Sequence, residues 1–108
     1  MIDILREEYN SVLIRQKERV AGSYTCYLLE QGTDKILKKC GEECSEVIIA
    51  AKNGKKEELI PELSDLLYHL AVLMVNEEVS LENLEAEFEK RHAKEGNLKN
   101  FHLVDKNT

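Results

Sequence analysis

The sequence predicts an all-α fold of about five helices, with a central antiparallel hairpin and a bundle completed by homo-oligomerisation. Three observations lead there. Apolar residues recur at steps of three and four along most of the chain, which is the spacing of one helical face. No segment sustains the alternation of a half-buried strand. One Pro, five Gly and no Trp accompany 33% charged residues, a composition that suits helices. With 43% apolar residues the chain builds a core rather than a disordered tail, but 108 residues allow only one domain and a modest core.

The first helix is expected from about Ile2 to Arg19, where Ile2, Leu5, Tyr9, Val12 and Leu13 form one stripe before Ala21-Gly22. Ser23 caps a short second helix through Tyr24, Tyr27, Leu28 and Leu29, stopped at Gly32. Thr33 or Asp34 caps a third helix to about Lys52, with Ile36, Cys40, Cys44, Val47, Ile48 and Ala51 as its stripe and Asn53-Gly54 as its stop. A fourth covers about Glu57 to Glu78, with Leu59, Leu63, Leu66, Leu67, Leu70, Leu73 and Met74 on its apolar side. Pro61 either opens that helix in its first turn or kinks it. Ser80 caps a fifth, Leu81 to about Lys94, followed by Gly96. One domain over residues 1–95 and a polar tail over 96–108 complete the division.

A net charge of −6 argues against nucleic acid or an anionic membrane as partner. The longest nearly uncharged apolar stretch, Leu66 to Asn76, falls far short of the roughly 20 residues a bilayer needs. The N-terminus is charged from Asp3 onward and lacks a secretory h-region. Three cysteines, an odd number, fit no disulfide framework and suit a reducing, cytoplasmic setting.

The chemistry-bearing feature is acidic. The third helix carries Glu42, Glu43 and Glu46, and the fourth carries Glu62 and Asp65. Glu43 with Glu46, and Glu62 with Asp65, are i, i+3 pairs, so each helix presents like charges on one face. If the hairpin turns at Gly54, residues whose numbers add to about 108 lie opposite each other. That register sets Glu46 against Glu62, Glu43 against Asp65 and Lys39 against His69. Two unit charges at 4 Å repel by about 4 kcal/mol at an effective dielectric near 20, so four converging acids call for a cation. Oxygen-only ligands suit Mg²⁺, with Mn²⁺ as substitute, and carboxylate-bound Mg²⁺ normally accompanies a phosphate substrate. The competing reading is a solvated acidic helix surface.

Lys35, Lys38 and Lys39 border the acids and either neutralise a polyphosphate or pair with acids along the helix. His69 follows Asp65 by four on the same face and is a candidate to support the site or meet a phosphate. Cys40 and Cys44, in the apolar stripe without a paired His, read as small buried hydrophobes, and Cys26 carries no motif.

The run Lys38-Lys39-Cys40-Gly41-Glu42-Glu43-Cys44-Ser45-Glu46, then Glu62-Leu63-Ser64-Asp65-Leu66-Leu67-Tyr68-His69, resembles the phosphoribosyl-ATP pyrophosphohydrolases of histidine biosynthesis. These belong to the MazG-like all-α nucleoside triphosphate pyrophosphohydrolases, whose signature is E-E-x-x-E, a spacer, then E-x-x-D. Ser23-Tyr24-Thr25, Gly32 and Lys35-Ile36 strengthen the likeness, which covers about residues 1–95. Cys40 and Cys44 depart from the usual aliphatic or Ala positions, and the tail from Asn97 matches no pattern.

The resemblance implies hydrolysis of 1-(5-phosphoribosyl)-ATP to 1-(5-phosphoribosyl)-AMP and pyrophosphate, with Mg²⁺, by a cytoplasmic homodimer or larger assembly. It implies Glu43, Glu46, Glu62 and Asp65 as metal ligands and Glu42 as a further ligand or water-orienting base. Lys35, Lys38 and Lys39 would meet substrate phosphates, and Tyr68 and His69 would support the site or touch the substrate. Two other readings stand beside it. One is a MazG-like house-cleaning pyrophosphohydrolase acting on other nucleotides. The other is a non-catalytic helical dimerisation module.

Overall fold

The helix boundaries follow cap chemistry. The structure, a computed structural model describing residues 2–94, contains α1 (Ile2–Lys17), α2 (Tyr24–Gln31), α3 (Thr33–Asn53), α4 (Lys56–Asn76) and α5 (Leu81–His92). Among the described residues there is no strand. The polar tail expected over 96–108 lies outside them.

Ser23 opens α2 by accepting from the Cys26 amide at 3.1 Å. Ser80 and Asn83 open α5 with a reciprocal capping box. The start of α3 differs from expectation: Gly32, not Thr33 or Asp34, is its N-cap, and Thr33 is already helical. Gly32 ends α2 and begins α3 at φ 91°, a left-handed backbone that other residues reach only with strain. Gly54 closes α3 at φ 72°. Pro61 neither opens α4 nor ends it. The helix begins at Lys56 and runs through Pro61, which lies early enough that few turns precede its missing N–H.

Helices α3 and α4 pack along their length in opposite directions. Near the start of α3, the Asn76 side-chain amide donates to the Thr33 hydroxyl at 2.9 Å. Two turns on, the Cys40 thiol points to the His69 carbonyl at 3.6 Å. The core lies at this end: Val12, Leu28, Ile36 and Val72 are at most 1% exposed, joined by Cys40, Ala71 and Val75. Each such apolar side chain contributes on the order of 1.5–3 kcal/mol by leaving water. Tyr9 of α1 donates to the Val79 carbonyl at 2.9 Å, tying α1 to the α4–α5 link.

Two expected stripes are corrected. On α3, Cys44, Ile48 and Ala51 are exposed, and the side turned inward carries Ile36, Cys40, Glu43 and Ala50. Cys44 is therefore not the buried hydrophobe expected, whereas Cys40 is. On α4, Leu63 is exposed, and Leu59, Leu66, Leu67 and Met74 are only half-buried, while His69, Ala71, Val72 and Val75 lie inside. The cause is the same in both helices. Each has apolar residues on two sides, and a single chain covers only one.

Candidate active site

The acids meet on the seam between α3 and α4, just beyond the core. Glu43 faces that seam and is 7% exposed. Glu43, Glu62 and Asp65 each offer a carboxylate oxygen, and these atoms lie within 4.8 Å of one another. Glu46 stands close enough to Glu43 and Glu62 for its charge to act on both. Burial, reinforced by Glu46, pushes the Glu43 carboxyl above the usual range, and His69 partly offsets this. Nearby Glu46, then burial, pushes Glu62 in the same direction. Glu43 Oε2 and Glu62 Oε2 are buried with no hydrogen-bond partner.

An orphaned, buried carboxylate oxygen is costly, and two in one group of acids leave a strong demand for positive charge. The donor set is oxygen only, which suits a hard divalent cation such as Mg²⁺ or Mn²⁺ and not a thiolate-loving one. The residues present thus fit such an ion. A cleft of about 340 Å³ opens beside them, lined by Glu46, Ile49, Ala50, Asn53, Glu58, Pro61 and Glu62.

The cations divide. Lys39 stands at the acids, its Nζ 3.2 Å from Glu42 and 4.0 Å from Glu43. Glu42 is exposed and reaches the group only through Lys39. Lys35 instead sits over the Tyr27 ring, 5.7 Å from its centroid. Lys38 is exposed and joins none of the ion pairs among the described residues.

His69 is buried and bonded at both ring nitrogens. Nδ1 lies 2.7 Å from the Asp65 carbonyl oxygen. A carbonyl only accepts, so Nδ1 carries the proton, and Nε2 shares a hydrogen bond with the Tyr24 hydroxyl, 3.0 Å away. Tyr68 shares a hydrogen bond with the Thr25 hydroxyl, and its ring centroid is 6.2 Å from that of Tyr24. Tyr24 was not among the expected site residues. Its place depends on α2 lying across α4, which helical periodicity does not reveal, although it belongs to the quoted Ser23-Tyr24-Thr25 run.

Comparison with known proteins gives a consistent result. The family model described as phosphoribosyl-ATP pyrophosphohydrolase matches residues 6–92. The chain is 53% identical over 98 residues to a phosphoribosyl-ATP pyrophosphatase of Clostridium novyi (strain NT), covering 91% of this chain and 89% of that protein. It is 49% identical over 94 residues to one from Bacillus cytotoxicus, covering 87% and 88% respectively. It is also 52% identical over 100 residues to the histidine biosynthesis bifunctional protein HisIE of Lactococcus lactis, covering 93% of this chain and 47% of that longer protein.

Proposed function

Because this chain belongs to the phosphoribosyl-ATP pyrophosphohydrolase family, we propose that it hydrolyses 1-(5-phosphoribosyl)-ATP to 1-(5-phosphoribosyl)-AMP and pyrophosphate, a step of histidine biosynthesis. One observation carries the reading to these residues: two buried, unpartnered carboxylate oxygens within the group of Glu43, Glu62 and Asp65 beside Lys39. That group offers negative charge where a scaffold needs none.

In this reading Glu43, Glu46, Glu62 and Asp65 hold Mg²⁺, with Mn²⁺ as a substitute. The bound cation supplies Lewis acidity at the phosphoanhydride and lowers the pKa of the attacking water. Glu42, paired with Lys39 at 3.2 Å, would accept a proton from that water or add a ligand. Lys39 lies where charge builds on the leaving pyrophosphate, and a prepositioned donor there stabilises the transition state. Lys35, over Tyr27, and exposed Lys38 would meet the remaining phosphates. Buried His69 holds Tyr24, and Tyr68 holds Thr25, which fixes α2 against the acidic seam.

A homodimer or larger assembly in the cytoplasm completes the proposal. Ile48, Ile49 and Ile60 are 64%, 60% and 55% exposed, too much apolar surface to leave in water beside a site. No helix among the described residues is long and apolar enough to cross a membrane.

The test is product release from phosphoribosyl-ATP with Mg²⁺ and then with chelator. Pyrophosphate, not orthophosphate, is expected, and only with the cation. ATP should be a much poorer substrate, and equal rates on both would favour a house-cleaning enzyme. Lys39→Ala should lower turnover about ten- to a thousandfold, the scale of losing one transition-state donor. No pyrophosphate under any condition would overturn the reading.

A further inference from the structure

A second cleft, of about 390 Å³, lies between the 20–23 turn and α2. Val20, Gly22, Tyr24, Cys26, Tyr27 and Glu30 line it. Its size falls within the range of small-ligand sites. Tyr24 and Tyr27 stand at i, i+3 on one face of α2, with ring centroids 6.2 Å apart and planes 25° from parallel. They are 45% and 42% exposed and form no part of the buried core.

Tyr24 is also anchored. Its hydroxyl is bonded to His69, whose other nitrogen is bonded to the backbone of Asp65 in the acidic group. The aromatic surface is thus fixed to the acidic seam at one end, with Lys35 over Tyr27. At the other end Arg19 Nη1 donates to the Cys26 carbonyl at 3.3 Å. Its ion pair with Glu30 is loose, at 3.9 Å with both side chains about half exposed or more.

We propose that this cleft takes the purine ring of the substrate against Tyr24 and Tyr27, with Arg19 meeting the phosphate on the ribose attached to the base. This rests on the function proposed above. That substrate carries phosphates on both sides of one purine, and the surface runs from a cation-seeking acidic group, across two rings, to a weakly paired guanidinium. A purine stacks on any aromatic face, and a guanidinium matches phosphate geometry better than it matches a distant carboxylate. ATP lacks the second phosphate, so Arg19 is the residue that separates the two nucleotides.

AMP in chelator is the direct probe, because it needs neither the cation nor hydrolysis. With four Tyr, two Phe and no Trp, the ring protons are separable by NMR. The Tyr24 and Tyr27 resonances should shift saturably with AMP, and Tyr27→Leu should weaken that binding by about five- to 150-fold, the loss of one base stack. Tyr27→Leu should raise KM for phosphoribosyl-ATP more than it lowers kcat. Arg19→Gln should raise KM for phosphoribosyl-ATP and leave KM for ATP alone. Hydrolysis by the wild type with unshifted tyrosines and unaltered KM in both variants would overturn the cleft while sparing the activity. AMP shifts in a wild type that does not hydrolyse phosphoribosyl-ATP would overturn the activity and leave the purine cleft standing.

Discussion

At one end of the α3–α4 pair, Ile36 and Val72 are wholly buried beneath α1 and α2, whereas at the other Ile48, Ile49 and Ile60 keep more than half their surface open. The open end is also apolar in sequence, with Val47, Ile48, Ile49, Leu59, Ile60 and Leu63, so apolar composition alone does not bury a residue here. Coverage does: α1 and α2 are long enough to roof one half of the pair, and the described chain has no element for the other. Helix α5 does not serve, since none of its residues is buried and its described link to α1 is the Arg6–Glu82 ion pair at 2.9 Å. The radius of gyration of 16.7 Å exceeds the about 13 Å of a compact domain of 100 residues. The acids sit between the two ends. One half of the pair holds itself together, and the open half is where a second copy would finish the bundle beside the site.

Substitutions at the two ends should separate these roles, and the closed end should show the largest loss. Leu28→Ala removes a side chain that is 0% exposed and should cost about 2–5 kcal/mol at every protein concentration. Ile48→Asp changes a residue that is 64% exposed, so a lone chain should hardly feel it. If two copies bury this surface, the wild-type Tm rises with protein concentration and the Ile48→Asp Tm does not. Thermal unfolding across a hundredfold range of concentration, with sedimentation alongside, decides this. An Ile48→Asp protein with the same mass and the same concentration dependence as wild type would break the comparison.

Between the ends, the acids should behave unlike either. Burial and Glu46 hold the Glu43 carboxyl above its ordinary 4.5, and Glu62 is raised likewise. In chelator the folded chain therefore keeps protons that the unfolded chain has released. Stability then rises as pH falls from neutral through the raised values, and the gain ends near the ordinary carboxylate range. Mg²⁺ needs deprotonated ligands, so its stabilisation should fade over the same window. Glu43→Gln should flatten the chelator profile, hold or raise stability by up to about 1 kcal/mol at neutral pH, and shrink the Mg²⁺ response. Melting curves at several pH values check all three. A destabilised mutant with an undiminished Mg²⁺ response would return Glu43 to an ordinary ion-pair role.

The sequence made the helices and the acidic set legible for a local reason. Caps such as Ser23 and Ser80 and stops such as Gly54 act within a few residues, and an i, i+3 pair needs no tertiary knowledge. Counting across the turn at Gly54 also paired Glu43 with Asp65 and Glu46 with Glu62, side chains that the structure gathers. What periodicity missed was sidedness. Helix α3 carries two apolar stripes, and nothing local says that Cys40 turns inward while Cys44 and Ile48 do not. Nor does a helical wheel show that a glutamate, Glu43, replaces an aliphatic residue on the inner face. Tyr24 needed the crossing of α2 over α4, a contact made across 45 positions of sequence. The structure also separated the lysines, with Lys39 at the acids and Lys35 on Tyr27, where spacing along one helix had grouped them.

The smallest expected effect tests whether the closed end is as settled as its burial suggests. Helix α4 leaves the core through Glu78, which has φ 59° and is the one described residue other than glycine in the left-handed region. The Val79 amide bonds back to the Met74 carbonyl at 2.8 Å, and the Glu78 amide to that of Val75 at 3.2 Å, a helix-ending motif whose left-handed position usually holds glycine. The strain is held in place because Val79 also accepts from Tyr9. A left-handed L-residue costs roughly 1–2 kcal/mol, and glycine returns about 0.4–1 kcal/mol of that through the freer unfolded chain. Glu78→Gly should therefore stabilise by about 0.5–1 kcal/mol, a rise in Tm of a few degrees for a domain of this size. Glu78→Asn should give part of the gain, and Glu78→Ala none, because it removes the charge and keeps the strain. Equal gains from glycine and alanine would mean that the carboxylate, beside Glu77 and the α4 C-terminus, is what destabilises this turn, and the backbone would be acquitted.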